Sequence, residues 1–272
     1  MASLSLKATR VAFKLLSVTS PSLSVRLAEQ LFSTPRTRPL SKTEQAVLAD
    51  GEALPLTSGL AATRWGSSDA PKVLLVHGWQ RHRASLRDFV NPLVKAGKQV
   101  IAFDAPAHND SPGRTANPII YAEALLELGR ELGPLHGVVA HSMGGGATVL
   151  ALHDGLQAER VVLLAPASDW EYQLRFFTGY LGLNEAMSDR FVRRLEAQAR
   201  SLDRMTPAYL CKELEQPFLL FHDMEDQRVP YQDSTDLAKH LPVAELVTLR
   251  ELGHSKLLYD AEVVAKTVNF LK

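Results

Sequence analysis

Val138-Val139-Ala140-His141-Ser142-Met143-Gly144-Gly145-Gly146-Ala147-Thr148-Val149-Leu150 is the stretch whose reading decides the fold. Val138-Val139 is an apolar, strand-like run, and Ala147-Thr148-Val149-Leu150-Ala151-Leu152 reads as helix. Between them Ser142 is flanked at minus two and plus two by Ala140 and Gly144, which carry little or no side chain. This predicts a strand that turns sharply into a helix, with the serine in strained dihedrals and its hydroxyl pushed out of the sheet. Bulky residues at either flanking position would collide in so tight a turn. One serine is thus displayed for nucleophilic attack. A phosphate-cradling reading of Gly144-Gly145-Gly146 fails for want of a following lysine.

Working outward, six short apolar runs alternate with helical patterns: Val73–Val76, Val100–Phe103, Val138–Ala140, Val161–Leu164, Phe218–Phe221 and Leu246–Leu249. Near-continuous Val, Leu, Ile and Phe suit parallel strands buried on both faces. Helical patterns at Ser85–Ala96, Pro118–Leu132 and Ala147–Gly155 separate several of them, which is the doubly wound α/β layout. Ahead of these runs, Ala53–Thr57 and Leu60–Trp65 flank Ser58-Gly59, a two-residue hairpin signal that predicts an antiparallel edge and about eight strands.

Partners for Ser142 occur at two strand ends. After Phe218–Phe221 comes His222-Asp223-Met224-Glu225-Asp226-Gln227-Arg228-Val229-Pro230, and after Leu246–Leu249 comes Glu251-Leu252-Gly253-His254. Serine, acid, histidine is one of three chain orders known for this constellation. With His77-Gly78-Trp79, the run Phe103-Asp104-Ala105-Pro106-Ala107-His108, the Ser142 turn and Gly253-His254, the chain resembles the α/β-hydrolase superfamily from about Leu54 to its C-terminus. The lead-in Leu31-Phe32-Ser33-Thr34-Pro35 to Ser41 is similar to that of uncharacterised bacterial members.

The resemblance implies an α/β-hydrolase fold: a mostly parallel eight-stranded sheet flanked by helices, with a helical cap inserted after the sixth strand. The expected division is an N-terminal helical extension over 1–50, a core formed by 51–166 with 214–272, and a cap over 167–213. The cap segment is long and rich in aromatics, including Trp170, Tyr172, Phe176, Phe177, Tyr180 and Phe191. A lid over a cleft explains both features, and so does a plain helical excursion with its own core.

The same resemblance implies the roles. Ser142 is the nucleophile and His254 the general base. Asp226 is the orienting acid by its spacing to Val229-Pro230, with Asp169 as the alternative placement. Asp223 and Glu225 read as loop-solvating neighbours. Backbone N–H groups of Met143 and Trp79 are expected to form an oxyanion hole, each typically worth about 3 kcal/mol of barrier. The Trp79 indole either lines an acyl pocket or packs. His77, His141 and His222 read as structural neighbours of the site. Two places depart from the family pattern. His222-Asp223 stands where His-Gly is usual, and Ala107-His108-Asn109 where Gly-His-Gly is usual, which predicts a stiffer loop.

Bulk properties narrow the function class. Thirty basic and thirty acidic residues leave no net charge, which speaks against nucleic acid or an acidic membrane surface as the main partner, since both select basic surfaces. A 46% hydrophobic content is ample for a core. The single cysteine, Cys211, excludes an intrachain disulfide and fits a reducing, cytoplasmic setting. No stretch approaches the roughly 18 apolar residues needed to span a bilayer. No metal cluster or nicotinamide fingerprint is visible, so no cofactor is expected.

The N-terminus has three readings. Ala8, Val11, Ala12, Leu15 and Leu16 share one helical face, with Lys7, Arg10, Lys14 and Ser17 on the other, and no acid precedes Glu29. A structural helix packing on the sheet is expected, ahead of a membrane-lying helix and a transit peptide. The reading as a whole is a serine hydrolase that cleaves a carboxylic ester or thioester of a small, apolar molecule through an acyl-enzyme. The alternatives are a perhydrolase or haloperoxidase-like enzyme, a carbon–carbon bond hydrolase with the same three residues, and a non-catalytic small-molecule receptor.

Overall fold

The computed structural model describes residues 2–197 and 202–272. Three helices come first: α1 (Ala2–Thr19), α2 (Pro21–Ser33) and α3 (Lys42–Ala49). There follow β1 (Glu52–Leu54), β2 (Ala62–Trp65), β3 (Lys72–Val76), α4 (Arg87–Lys95), β4 (Gln99–Phe103), α5 (Pro118–Leu132) and β5 (Leu135–His141). Next are α6 (Met143–His153), β6 (Ala158–Leu164), α7 (Trp170–Tyr180), α8 (Glu185–Glu196) and the short α9 (Pro207–Leu210). The chain closes with β7 (Phe218–Asp223), α10 (Tyr231–His240), β8 (Ala244–Leu249), α11 (Gly253–Lys256) and α12 (Ala261–Phe270).

The eight strands form one sheet in the order β1-β2-β4-β3-β5-β6-β7-β8. The pairs β1–β2 and β2–β4 are antiparallel, and every pair from β4 to β8 is parallel. This is the α/β-hydrolase fold that the sequence implies. The apolar runs are continuous because alternate residues of each strand enter two different cores. Leu74, Val138, Ala140, Val161 and Leu163 face a core closed by α5 and α6. Val73, Leu75, Val139, Val162 and Leu164 face the other, closed by α4 and α12.

Local signals set the helix ends. Asn117 accepts from the N–H groups of Ile119 and Ile120, Pro118 opens α5, and Gly133 at φ 77° follows its end. Ser41 and Glu44 form a reciprocal cap on α3. Two expectations differ from what is found. The β1–β2 link is not a two-residue hairpin: Leu54 pairs with Ala62, so residues 55–61 form a longer loop. Its turn sits where the Gly59 N–H donates to the Leu56 carbonyl, with Gly59 at φ 73°. The turn is centred one residue before Ser58-Gly59, on Thr57-Ser58, and strand pairing stops short of it on both sides.

The second difference lies at the N-terminus. α1 does not pack on the sheet. Its buried Phe13 joins Val25 and Ala28 of α2 with Leu174, Met187, Phe191 and Val192 of α7 and α8, in a cluster that contains no strand residue. The Arg10 side chain donates to the Tyr180 carbonyl at 2.9 Å. The N-terminal helices and the helices after β6 therefore form one layer. Residues 198–201, within the expected cap, lie outside the described residues.

Candidate active site

Ser142 occupies the single residue between β5 and α6, at φ 56° and ψ −127°. Such dihedrals cost a non-glycine residue of order 1–3 kcal/mol and persist only where the surroundings over-determine them. Here the Ser142 N–H donates to the Leu164 carbonyl at 3.0 Å, and the Ser142 carbonyl accepts from Gly145 and Ala167. The three glycines serve close approach. A Cβ on Gly144 would stand 2.3 Å from the His77 carbonyl oxygen, and one on Gly146 would stand 1.9 Å from that of Ala167. A Cβ on Gly78 would stand 2.8 Å from the Ser142 Cβ.

His254 reaches the serine from the first turn of α11, just after β8, where Glu251 and Gly253 both take positive φ. Its Nε2 lies 3.0 Å from the Ser142 Oγ, and its Nδ1 lies 2.6 Å from the Asp226 Oδ2. With Nδ1–H donated to the carboxylate, Nε2 is left as an acceptor for the serine hydroxyl. The Asp226 carboxylate is fully enclosed, and its other oxygen accepts from the N–H groups of Arg228 and Val229. Burial alone would raise its pKa. Hydrogen bonds from His222 and His254 and the proximity of His254 outweigh that and hold it below the usual carboxylate range. Asp169, the alternative acid, caps α7 and accepts from the Tyr172 N–H, with no hydrogen bond to His254.

Neighbouring histidines brace this chain of groups. His141 Nε2 donates to the His254 carbonyl at 3.0 Å, and the two rings lie 4.8 Å apart. Burial, then the nearby His254, lowers the His141 pKa well below its ordinary value, so the ring stays neutral. His222 bonds Ser234 and the Val229 carbonyl, closing the loop that carries Asp226. His77 bonds the Gly78 carbonyl and accepts from Ala105, joining the loops after β3 and β4.

Asp223 corrects its sequence reading. It is not a solvating residue: it is buried, and its carboxylate accepts from the N–H groups of Glu225 and Leu252, both at 2.7 Å. It thus ties the Asp226 loop to the His254 loop. The departure from His-Gly at this position was the available signal, since an acid at a strand end needs donors. The Ala107-His108-Asn109 loop is also resolved by its contacts. Ala107 and Asn109 take φ 63° and 41°, the conformation that glycines usually supply. Buried His108 anchors it, bonding the Pro106 carbonyl and accepting from the Gln80 N–H.

Met143 is the first residue of α6, where helix N–H groups have no partner within the helix. Trp79 lies in the loop after β3, its ring half-buried between His108 and Phe32 of α2. A cavity of about 520 Å³ lies between α2, the start of α5, α7 and the end of α8; Phe32, Ile119, Trp170 and Leu174 line it together with Arg26, Glu29, Arg194 and Glu196, and none of Ser142, His254, Met143 or Trp79 does. Trp170 stands against the place a Gly146 side chain would fill, which sets that side of the cavity next to the Ser142 helix. Among the described residues, no group of three or more His, Cys, Asp or Glu is arranged to hold a metal ion.

A model of the alpha/beta hydrolase family matches residues 73–267. No curated protein matches the chain. Among solved structures, the esterase PF2001 of Pyrococcus furiosus superposes with a TM-score of 0.67 at 18% identity, covering 88% of this chain and 97% of that one. A monoacylglycerol lipase of Paleococcus ferrophilus gives 0.60 at 20% identity, over 78% and 98%. The thioesterase domain of the curacin biosynthetic pathway gives 0.59 at 18% identity, over 81% and 98%. At these identities the likeness is one of fold.

Proposed function

Because the chain belongs to the α/β-hydrolase family, we propose that it is a serine hydrolase, a carboxylesterase or thioesterase acting on a small apolar acyl substrate. The observation that carries this reading is the aligned chain from Ser142 Oγ through His254 to Asp226, at 3.0 and 2.6 Å. Ser142 Oγ attacks the acyl carbon while its proton passes to His254 Nε2. Asp226 holds the tautomer and balances the imidazolium that results. The N–H groups of Met143 and Trp79 receive the oxyanion. Collapse expels the alcohol or thiol, which takes the proton from His254 and leaves an acyl-serine. A water gives its proton to the same nitrogen, attacks the acyl carbon, and releases the acid with Ser142 restored.

The proposal divides the chain into an extension over 1–50, a core of 51–166 with 214–272, and a cap over 167–213. Phe32 against Trp79 supports a cap that α2 completes from the N-terminal side. The aromatic side chains of the proposed cap, among them Trp170, Phe176 and Phe177, support an apolar acyl group. The test is a fluorophosphonate probe with peptide mass spectrometry, followed by a panel of esters and thioesters. A stoichiometric adduct on Ser142 that depends on His254, together with multiple turnovers, is expected. Absence of labelling in the folded protein would sink the mechanism, and labelling without turnover would favour a receptor.

A further inference from the structure

α1 turns an apolar row outward. At about 100° per residue, Phe13, Leu16 and Ser20 share the inward face, and only Phe13 among them is fully buried. Opposite them, Val11, Leu15 and Val18 form a row with 59%, 63% and 81% of their surfaces exposed. Ala8 and Ala12 extend the same outward surface. Single exposed apolar residues are ordinary, but a row along one helix is not. Among the described residues, eight of the eleven exposed large hydrophobic side chains lie on α1, α2 and α7. Tyr180, against which Arg10 lies, ends one such row through Tyr172 and Phe176.

Charge completes the pattern. Residues 1–43 include Lys7, Arg10, Lys14, Arg26, Arg36, Arg38 and Lys42 but a single acid, Glu29. That acid is held by Arg194. Lys7 and Lys14 are exposed and lie about two turns apart along the flank of the apolar row. An apolar row edged by lysines is what an interfacial helix presents to a negatively charged lipid surface. α1 is no bilayer span, since no helix among the described residues is long and apolar enough to cross a membrane. A second copy of the chain would be a poor occupant, because pairing two such faces would crowd lysines of the same sign.

We propose that α1 docks this protein on anionic lipid bilayers, with Val11, Leu15 and Val18 entering the interface and Lys7 and Lys14 meeting the headgroups. The inference does not rest on the hydrolase reading. Where both hold, docking brings the enzyme to the phase in which apolar esters dissolve.

The test is co-sedimentation of the full chain with sucrose-loaded vesicles, of phosphatidylcholine alone or with about a third phosphatidylglycerol. Binding to the anionic vesicles should exceed binding to the neutral ones by about tenfold or more. Val11→Ser/Leu15→Ser/Val18→Ser should lower it by about tenfold or more, and Lys7→Glu/Lys14→Glu should remove the preference for the anionic lipid. Melting temperature and fluorophosphonate labelling should be unchanged in both variants. Failure of the wild-type chain to bind anionic vesicles, or a triple serine variant that binds equally well, would overturn the proposal. So would a dimer in sedimentation velocity that the triple variant converts to monomer. Vesicle binding without Ser142 labelling would sink the hydrolase reading and leave this one standing.

Discussion

Two regions of this molecule pose opposite problems to a reader of sequence. In the parallel sheet, a strand buried on both faces leaves no choice of orientation, so Val138-Val139 and Val161–Leu164 can only sit as they do. In the helical layer formed by α1, α2, α7 and α8, each helix packs through one face and leaves another free. There the face that packs is decided by the shape of the neighbour. Phe13 fits beside Val25 and Ala28 of α2, and the row of Val11, Leu15 and Val18 is left outside. Apolar content locates a core only where every direction is closed.

The largest effects should come from the closed region. Ser142→Ala and His254→Gln should each lower ester turnover by about a thousandfold or more, since groups that act as a unit fail together. Ser142→Ala should leave the melting temperature within a few degrees of wild type, because that side chain belongs to neither apolar cluster of the sheet, whereas His254→Gln also alters the partner of the buried Asp226 carboxylate. Asp226→Asn should cost about as much as His254→Gln by disturbing the tautomer. Asp169→Asn should leave turnover within a few-fold of wild type, since its carboxylate serves the first turn of α7. Equal damage from Asp169→Asn and Asp226→Asn, read from initial rates, would mean that the helical layer reaches the chemistry after all.

Much of the fold and of the candidate site was legible. The small residues around Ser142 imposed a geometry that few others could satisfy, and the strand ends carrying Asp226 and His254 followed from chain order. Less legible was whatever depended on a neighbour distant in sequence. Asp223 read as solvated because its partner, the Leu252 N–H, lies 29 residues away. The turn expected at Ser58-Gly59 is found one residue earlier, centred on Thr57-Ser58, within a loop of 55–61 where the sequence pattern predicts continued strand pairing. The inward face of α1 depended on α2, α7 and α8 together.

A stability measurement sharpens the same contrast. Gly146→Ala places a methyl 1.9 Å from the Ala167 carbonyl oxygen, a backbone atom that cannot rotate away. Overpacking of this kind costs about 1–3 kcal/mol and sometimes more. Val18→Ala on α1 removes a side chain that is 81% exposed, and should change stability by less than about 0.5 kcal/mol. Urea denaturation monitored by circular dichroism separates the two. A Val18→Ala variant as destabilised as Gly146→Ala would show that the outward row is packed, and the division between the two regions would fail.

An effect confined to one end of the pH range tests the joint between the regions. Asp233 of α10 is buried, and its Oδ2 accepts from the N–H groups of Ser168 and Asp169, where the chain leaves β6 for α7. Burial outweighs those two bonds and pushes its pKa up to about 6 from an ordinary 3.8. A folded-state pKa raised in this way contributes stability below about pH 4, and that contribution is lost as pH rises through about 6. Asp233→Asn keeps an oxygen for both donors and removes the ionisation. It should therefore stabilise the protein at pH 8, by no more than about 3 kcal/mol at roughly 1.4 kcal/mol per pKa unit, and should change little at pH 4. Denaturation midpoints at the two pH values decide it. If the asparagine destabilises equally at both, the charged carboxylate is what holds the root of α7, and the helical layer is fastened to the core by an ion and not by packing.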